Sequence, residues 1–147
     1  WQPRLVQRVE AIDGSLVREI APRRIAAVPV RATALDQVRE AMVDTVSRGT
    51  GNKARLADIL VGGKTGTSQV VTIGRTRLKA HQMKWNQRDH AWFVAFAPAE
   101  EPTIAVATLV EHADGGGGAV AAPITKQVLQ AFFALQEERR GVRLAQN

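Results

Sequence analysis

The sequence predicts an α+β fold in which helices pack against an antiparallel sheet. Apolar, strand-like stretches recur between residues 59 and 110, and short or hairpin-like connections join them, which favours antiparallel pairing. Helical apolar patterns lie on either side of these strands, at 34–48 and after Pro123. A helix that buries one apolar stripe on a sheet forms a layered arrangement, so residues 1–147 are predicted to belong to one domain.

Composition excludes several kinds of site. The 147 residues include no cysteine, which excludes disulfides, thiol catalysis and cysteine-ligated zinc. No apolar run reaches the roughly 18–20 residues of a membrane span. The net charge of +6 suits an ordinary soluble domain as well as one that meets nucleic acid, anionic lipid or a carboxylate-rich polymer.

The first third of the chain predicts a hairpin followed by a helix. Strands at 5–10 and 16–20 flank Asp13-Gly14, a pair suited to a turn with positive φ. Thr33 is the expected N-cap of the helix over 34–48. Apolar residues at spacings of three and four predict one buried stripe on this helix: Leu35, Val38, Met42 and Val46.

The remaining elements are strands, a polar loop and a last helix. The strand-like stretches are 59–61, 69–73, 91–96 and 103–110, and the basic stretch 74–89 predicts a long hairpin loop. Pro123 suits the first turn of the last helix, after a glycine-rich loop. Its apolar stripe is predicted at Ile124, Val128, Phe132 and Leu135, and the polar tail at 137–147 is expected to fray.

Gly63-Lys64-Thr65 after a strand first suggests a phosphate-binding loop. That motif, G-x-x-x-x-G-K-[ST], needs a glycine at position 58, where this chain has Asp58, and a carboxylate there would repel phosphate. The motif must also open a helix whose N-terminal amides bind the anion. The residues after Thr67 are strand-prone, so both spacing and context argue against a nucleotide site.

Lys64-Thr65-Gly66 on a strand has a second interpretation. K-T-G, with S-x-x-K and S-x-N, is an element of penicillin-binding proteins and serine β-lactamases. Lys64 offers a compact charge to a carboxylate, and Thr65 can donate a hydrogen bond to the same group. Gly66 lets a substrate backbone lie close, and the Thr67 N–H can stabilise an oxyanion.

The flanking residues make this motif specific. Residues 62–71 (GGKTGTSQVV) resemble the third-strand signature of class B penicillin-binding proteins, and later stretches resemble the following strands and the start of the last helix: 90–98, 104–112 and 121–124. Order and spacing match over 62–135. The ending Gln69-Val70-Val71 and the strand beginning His90-Ala91-Trp92 look most like the penicillin-binding protein 2 branch, which builds side wall during rod elongation. The division branch is the near alternative.

The resemblance implies a peptidoglycan D,D-transpeptidase that works through a serine acyl-enzyme without a cofactor. Stem peptides and β-lactams would be its ligands. Its partner would be the cell-wall elongation machinery, and it would not bind nucleic acid. It would lie on the periplasmic face of the bacterial inner membrane, anchored by an N-terminal segment outside this chain. Lys64, Thr65, Gly66 and Thr67 would bind substrate, with the Thr67 N–H as oxyanion donor.

The serines limit what this chain does by itself. Ser15, Ser47 and Ser68 are its only serines, and none begins S-x-x-K or S-x-N. In the family both motifs precede K-T-G. The chain is therefore expected to be the C-terminal portion of a transpeptidase domain, to contain no catalytic residue, and to be inactive without the N-terminal half that carries the nucleophile.

Other interpretations stay open at this stage. A β-lactamase-like serine hydrolase shares K-T-G, and a non-catalytic basic module would bind nucleic acid or protein, although no nucleic-acid motif is present. His81, His90 and His112 are too widely spaced for a metal motif, and His90 is expected to be structural. The 74–89 loop either guides the anionic wall polymer or a partner, with Met83 and Trp85 as contacts, or is simply solvated.

Overall fold

The computed structural model describes residues 1–72 and 78–145, which divide into two compact units, Trp1–Ala32 and Thr33–Asn147. The first unit contains the predicted hairpin, with β1 (Arg8–Glu10) antiparallel to β2 (Leu16–Glu19). Gly14 takes a φ of 81°, and the backbone N–H of Ser15 donates to Asp13 Oδ1 at 2.9 Å. The hairpin is confirmed, with shorter strands than the apolar pattern predicts.

In the second unit, α1 (Ala32–Ser47) packs mainly through its C-terminal end. Val46 is 2 % exposed, whereas Leu35 and Val38 are 44 % and 56 % exposed. The predicted stripe is therefore wrong for the first half of the helix, because the core of this unit lies beside its last turn. Since α1 begins at Ala32, Thr33 lies inside the helix, and the prediction that Thr33 is the N-cap is wrong as well.

Three antiparallel strands form the sheet, in the order β3 (Gly62–Ser68), β4 (His90–Ala97) and β5 (Ile104–Val110). The first of them differs from the prediction. Residues 59–61 and 69–72 are not strands, and the strand lies between them on the glycine- and threonine-rich stretch itself. Gly62 and Gly63 pair with Phe96 and Ala95, and a side chain at Gly62 would overlap the Phe96 ring. Ile73 lies outside the described residues.

The core lies between β4, the end of α1 and the last helix, α2 (Gly117–Ala145). Phe93 and Leu129 are its largest fully buried apolar side chains. Small residues bring α2 close to the sheet, since Ala121 and Ala122 are both 0 % exposed. Close approach of backbones buries small side chains that a search for large apolar residues overlooks.

This packing corrects the predicted surface of α2. Residues of the expected stripe are substantially exposed, namely Ile124 (42 %), Val128 (43 %) and Leu135 (52 %). Because α2 begins at Gly117, Pro123 lies inside the helix and not in its first turn, contrary to the prediction. The helix also continues through Ala145, into the tail expected to fray, and residues 146–147 lie outside the described residues.

No helix within the described part of the chain is long and apolar enough to cross a membrane.

Candidate functional site

The K-T-G sequence lies at the middle of β3, a strand whose second edge has no partner strand among the described residues. Lys64, Thr65 and Gly66 pair with Val94, Phe93 and Trp92 of β4. Backbone N–H and C=O groups of a strand point alternately to its two edges, so part of β3 is left able to bond an added extended chain. This open edge is the geometry that recognition of a peptide backbone requires.

The side chains of the motif divide between the two faces of the sheet, because successive residues of a strand point in opposite directions. Lys64 shares its face with Val94 and is exposed, and its Nζ donates to the carbonyl oxygen of Thr65 at 2.7 Å. Thr65 and Thr67 share the face that α2 covers. Because Lys64 Nζ is hydrogen-bonded to the Thr65 backbone, its ammonium lies at the same residue as the Thr65 hydroxyl, although the two side chains start from opposite faces of the strand.

Thr65 is held by a residue from the loop after α1. The Oγ1 atoms of Thr50 and Thr65 lie 3.3 Å apart. Thr50 follows Gly49 in a turn, and the Gly51 N–H donates to the carbonyl of Thr45 at 2.9 Å, which anchors that turn to the helix. This contact positions Thr65, yet the sequence indicates only a loop at Thr50.

Two glycines at the start of α2 allow the helix to touch the motif. A Cβ at Gly117 would overlap the carbonyl oxygen of Trp92 and lie 2.9 Å from that of Gly66. A Cβ at Gly118 would overlap the Thr50 carbonyl oxygen and lie 3.2 Å from Thr65 Cγ2. Only glycine permits this approach. Part of the glycine-rich stretch that the sequence predicts as a loop is therefore the first turn of α2, where the helix contacts the motif.

Thr67, at the C-terminal end of the motif, opens onto a cavity of about 370 Å³, here called the Thr67 cavity. One wall follows β5 and includes Ala113, Gly115 and Gly116. The other wall comes from residues 78–89, here called the 78–89 segment, and includes Leu78, Lys79, Ala80, Met83 and Asp89. This segment is the described part of the predicted basic loop, whereas Arg75 and Arg77 lie outside the described residues.

Two of the three histidines lie close together in space. The rings of His90 and His112 lie 4.8 Å apart between centroids, although 22 residues separate them in sequence. The His112 N–H donates to His90 Nδ1 at 3.0 Å, which gives His90 a structural contact. Over residues 1–72 and 78–145, no group of three or more His, Cys, Asp or Glu side chains is placed to hold a metal ion.

The three serines belong to different parts of the chain. Ser15 belongs to the hairpin unit, Ser47 ends α1 and Ser68 ends β3. Ser68 is exposed and pairs with His90 in the register of β3 and β4. None of the three is followed by a lysine three residues later, the partner that an S-x-x-K nucleophile has.

Comparison with known proteins decides the family. Residues 1–130 match the family model of the penicillin binding protein transpeptidase domain. The chain belongs to this family. A transpeptidase-family relative, the peptidoglycan D,D-transpeptidase MrdA of Acinetobacter baumannii, is 37% identical over 110 residues, which are 74% of this chain and 16% of that protein. The chain thus spans only about a sixth of that relative's length.

Solved structures of the transpeptidase family have the same fold. Penicillin-binding protein A of M. tuberculosis, as its ceftriaxone acyl-enzyme complex, matches with a TM-score of 0.69 at 29% identity, over 88% of this chain and 27% of that chain. Penicillin-binding protein PBP2 of Helicobacter pylori, in complex with MreC, matches with a TM-score of 0.56 at 27% identity, over 78% and 21% of the two chains. The α+β fold with an antiparallel sheet is therefore confirmed.

Proposed function

We propose that this chain forms one wall of the active-site cleft of a peptidoglycan D,D-transpeptidase. The wall, here called the K-T-G wall, consists of Lys64–Thr67 on the open edge of β3. The observation that carries the proposal is this motif on an edge strand, with Thr65 held by Thr50 and α2 seated against Gly66. The transpeptidase family to which the chain belongs supports acyl transfer as the reaction that this wall serves.

The reaction is acyl transfer between stem peptides. A serine hydroxyl attacks the penultimate D-Ala carbonyl, the serine proton is passed to the departing amine, and the terminal D-Ala leaves. The amine of a second stem then attacks the acyl-enzyme ester, forms the new amide bond and gives up a proton, which returns to the departing serine oxygen. A β-lactam acylates the same serine, and its ring amide opens without a leaving group departing.

Each residue of the K-T-G wall has a role that fits its position. The exposed Lys64 ammonium attracts the terminal carboxylate of the donor peptide and the neighbouring catalytic hydroxyls. The Thr65 hydroxyl donates to the same carboxylate, and Thr50 restricts its orientation. Gly66 admits the peptide backbone, and the Thr67 N–H stabilises the oxyanion that forms as the serine attacks.

The nucleophile comes from a segment outside this chain, together with its S-x-x-K lysine and the S-x-N serine. The protein that joins that segment to this chain is here called the full-length transpeptidase. The relatives are peptidoglycan transpeptidases, and peptidoglycan lies outside the cytoplasmic membrane, so we place the wall on the periplasmic side, anchored by a segment outside this chain. The H. pylori relative forms a complex with MreC, which favours cell-wall elongation proteins as partners and the elongation branch over the division branch.

Mapping the acylated residue tests this function. The full-length transpeptidase is incubated with a labelled penicillin and digested, and the modified peptide is identified by mass spectrometry. We expect one adduct, on a serine of an S-x-x-K sequence outside residues 1–147, and no adduct when this chain is incubated by itself. An adduct on Ser15, Ser47 or Ser68, or no adduct at all, would overturn the assignment.

A further inference from the structure

Three aromatic side chains meet where β4 begins and β5 ends. The His112 ring contacts both the Trp85 ring and the His90 ring, with centroid distances of 4.5 Å and 4.8 Å. His112 Nδ1 also lies 3.3 Å from the carbonyl oxygen of Arg88. His112 thus contacts β4 through its backbone and the 78–89 segment through its ring.

The hydrogen bonds assign a different proton position to each histidine. A carbonyl oxygen only accepts, so His112 Nδ1 must carry the proton that reaches Arg88. His90 Nδ1 accepts the His112 N–H, so the proton of a neutral His90 is on Nε2. The His112 ring donates a hydrogen bond and the His90 ring accepts one, so an apolar side chain could replace neither.

This cluster also joins both walls of the Thr67 cavity. His112 contacts Trp85 and Arg88, which belong to the same segment as the wall residues Lys79 and Met83. The residues directly after His112 begin the opposite wall, where the Ala113 N–H donates to the carbonyl oxygen of Asp89 at 2.9 Å. One residue therefore connects the two sides of the cavity.

The backbone at His112 is adapted to this position. Its φ of 50° is left-handed, a conformation that histidine adopts more readily than most non-glycine residues. This turn directs the chain from the end of β5 towards Gly115 and Gly116, while the ring stays against the 78–89 segment. Glycine and asparagine tolerate the same φ, which makes it possible to change the ring without straining the backbone.

We propose that His112, supported by His90, is a positioning residue that fixes the 78–89 segment as a wall of the Thr67 cavity. It thereby sets how well the cleft holds the part of a donor peptide or β-lactam that extends beyond Thr67. The proposal rests on the proposed function, because it takes the K-T-G wall as the substrate-binding strand. The contacts of His112 that carry the proposal are with Trp85, Arg88 and His90, so its effect is expected on binding and not on the acyl-transfer step.

Acylation kinetics of the full-length transpeptidase test the proposal, with a labelled penicillin varied in concentration. His112→Gly removes the ring but keeps the backbone conformation, and His90→Leu removes the acceptor for the His112 N–H. Loss of one or two hydrogen bonds of this kind predicts a rise of about 3- to 10-fold in the half-saturating concentration. The limiting acylation rate should stay within about twofold of the wild-type rate.

Conservative variants and hydrogen exchange separate positioning from general support of the fold. His112→Asn keeps the φ and offers an amide N–H to Arg88, and His90→Asn offers an acceptor oxygen, so both should recover part of the lost binding. In the Gly and Leu variants, amides of the 78–89 segment should exchange faster, and those of β3 should not.

Two results would overturn the proposal, and they differ from failure of the proposed function. The first is an unchanged half-saturating concentration in both His112→Gly and His90→Leu. The second is a fall in the limiting rate with faster exchange throughout β3, which would make the pair a general support of the sheet. If the wild-type protein is not acylated at all, the proposed function fails and the substrate-positioning role with it, while exchange still shows whether His112 holds the segment.

Discussion

Thr50 Oγ1 and Thr65 Oγ1 lie 3.3 Å apart, so the turn after α1 is bonded to the central residue of the K-T-G wall. The contact is exposed and either hydroxyl can donate. When Thr65 donates to a substrate carboxylate, Thr50 can donate to Thr65 and keep that hydroxyl directed outward. A residue remote in sequence thus restricts the orientation of a proposed substrate ligand.

Replacing Thr50 should weaken acylation without abolishing it. Thr50→Val keeps the shape but removes the hydroxyl, and a net hydrogen bond of about 0.5–1.5 kcal/mol predicts a fall of roughly 2- to 10-fold in the second-order acylation constant. Thr50→Ser, which keeps the hydroxyl, is the control and should retain most of the rate. Equal rates for Val and Ser variants would show that the contact does not serve binding.

Gly117→Ala should destabilise the chain, because the new methyl group would overlap the Trp92 carbonyl oxygen. Overpacking of this kind costs about 1–3 kcal/mol or more of unfolding free energy, measured by urea denaturation. Gly141→Ala is the matched control, since it lies in the same helix with nothing within 4 Å of its Cβ, and should stabilise by up to about 1 kcal/mol. Equal changes in unfolding free energy at both positions would contradict the close contact between the start of α2 and Trp92.

Thr125 is fully buried, and its hydroxyl lies 2.7 Å from that of Thr108 while donating to the Ala121 carbonyl. Thr125→Val leaves the half-buried Thr108 hydroxyl without this partner and should cost about 1–3 kcal/mol of unfolding free energy. Thr108→Val should cost less, because Thr125 still has Ala121. In a double-mutant cycle the two changes should not be additive, and strict additivity would show that the hydroxyls do not interact.

The Asp13 carboxyl should titrate below its ordinary value. Hydrogen bonds from the side chain and the backbone of Ser15 lower the pKa of Asp13 from 3.8. A lowered folded-state pKa stabilises the hairpin above the unfolded value, and this contribution is lost as pH falls through the folded pKa. An NMR titration of the Asp13 carboxyl measures it directly, and Ser15→Ala should move the pKa back up. Titration of the wild-type carboxyl at or above 3.8 would contradict the hydrogen-bonded turn.

Local chemistry was enough to predict the K-T-G strand but not its limits. The motif, its flanking strands and the antiparallel order follow from residue patterns and the family resemblance. The strand itself lies on Gly62–Ser68 and not on the apolar stretches beside it. It forms there because these residues pair with β4, whose Phe93 and Phe96 rings pack over Gly63 and Gly62. Strand propensity favours branched residues and takes no account of such a partner.

Contacts between distant residues could not be predicted from one sequence. The bond between Thr50 and Thr65 and the pairing of His90 with His112 depend on how helices and strands are placed in space. The predicted stripe residues Ile124 and Val128 lie one position before the buried Thr125 and Leu129, because periodicity gives most weight to large apolar residues. The glycine-rich stretch 115–118 is consistent with a closely packed helix, since such an approach needs glycine. A loop explains the same residues equally well, so the sequence did not distinguish the two.

Acylation of the full-length transpeptidase with Lys64 replaced tests the central claim most directly. Lys64→Ala removes the ammonium of the K-T-G wall, and loss of a charge-assisted hydrogen bond of about 1.5–3 kcal/mol predicts a fall of roughly 10- to 150-fold in the second-order rate constant for a labelled penicillin. Lys64→Arg keeps the charge and should retain part of the rate, and circular dichroism should confirm that both variants are folded. A folded Lys64→Ala protein that is acylated at the wild-type rate would contradict the account.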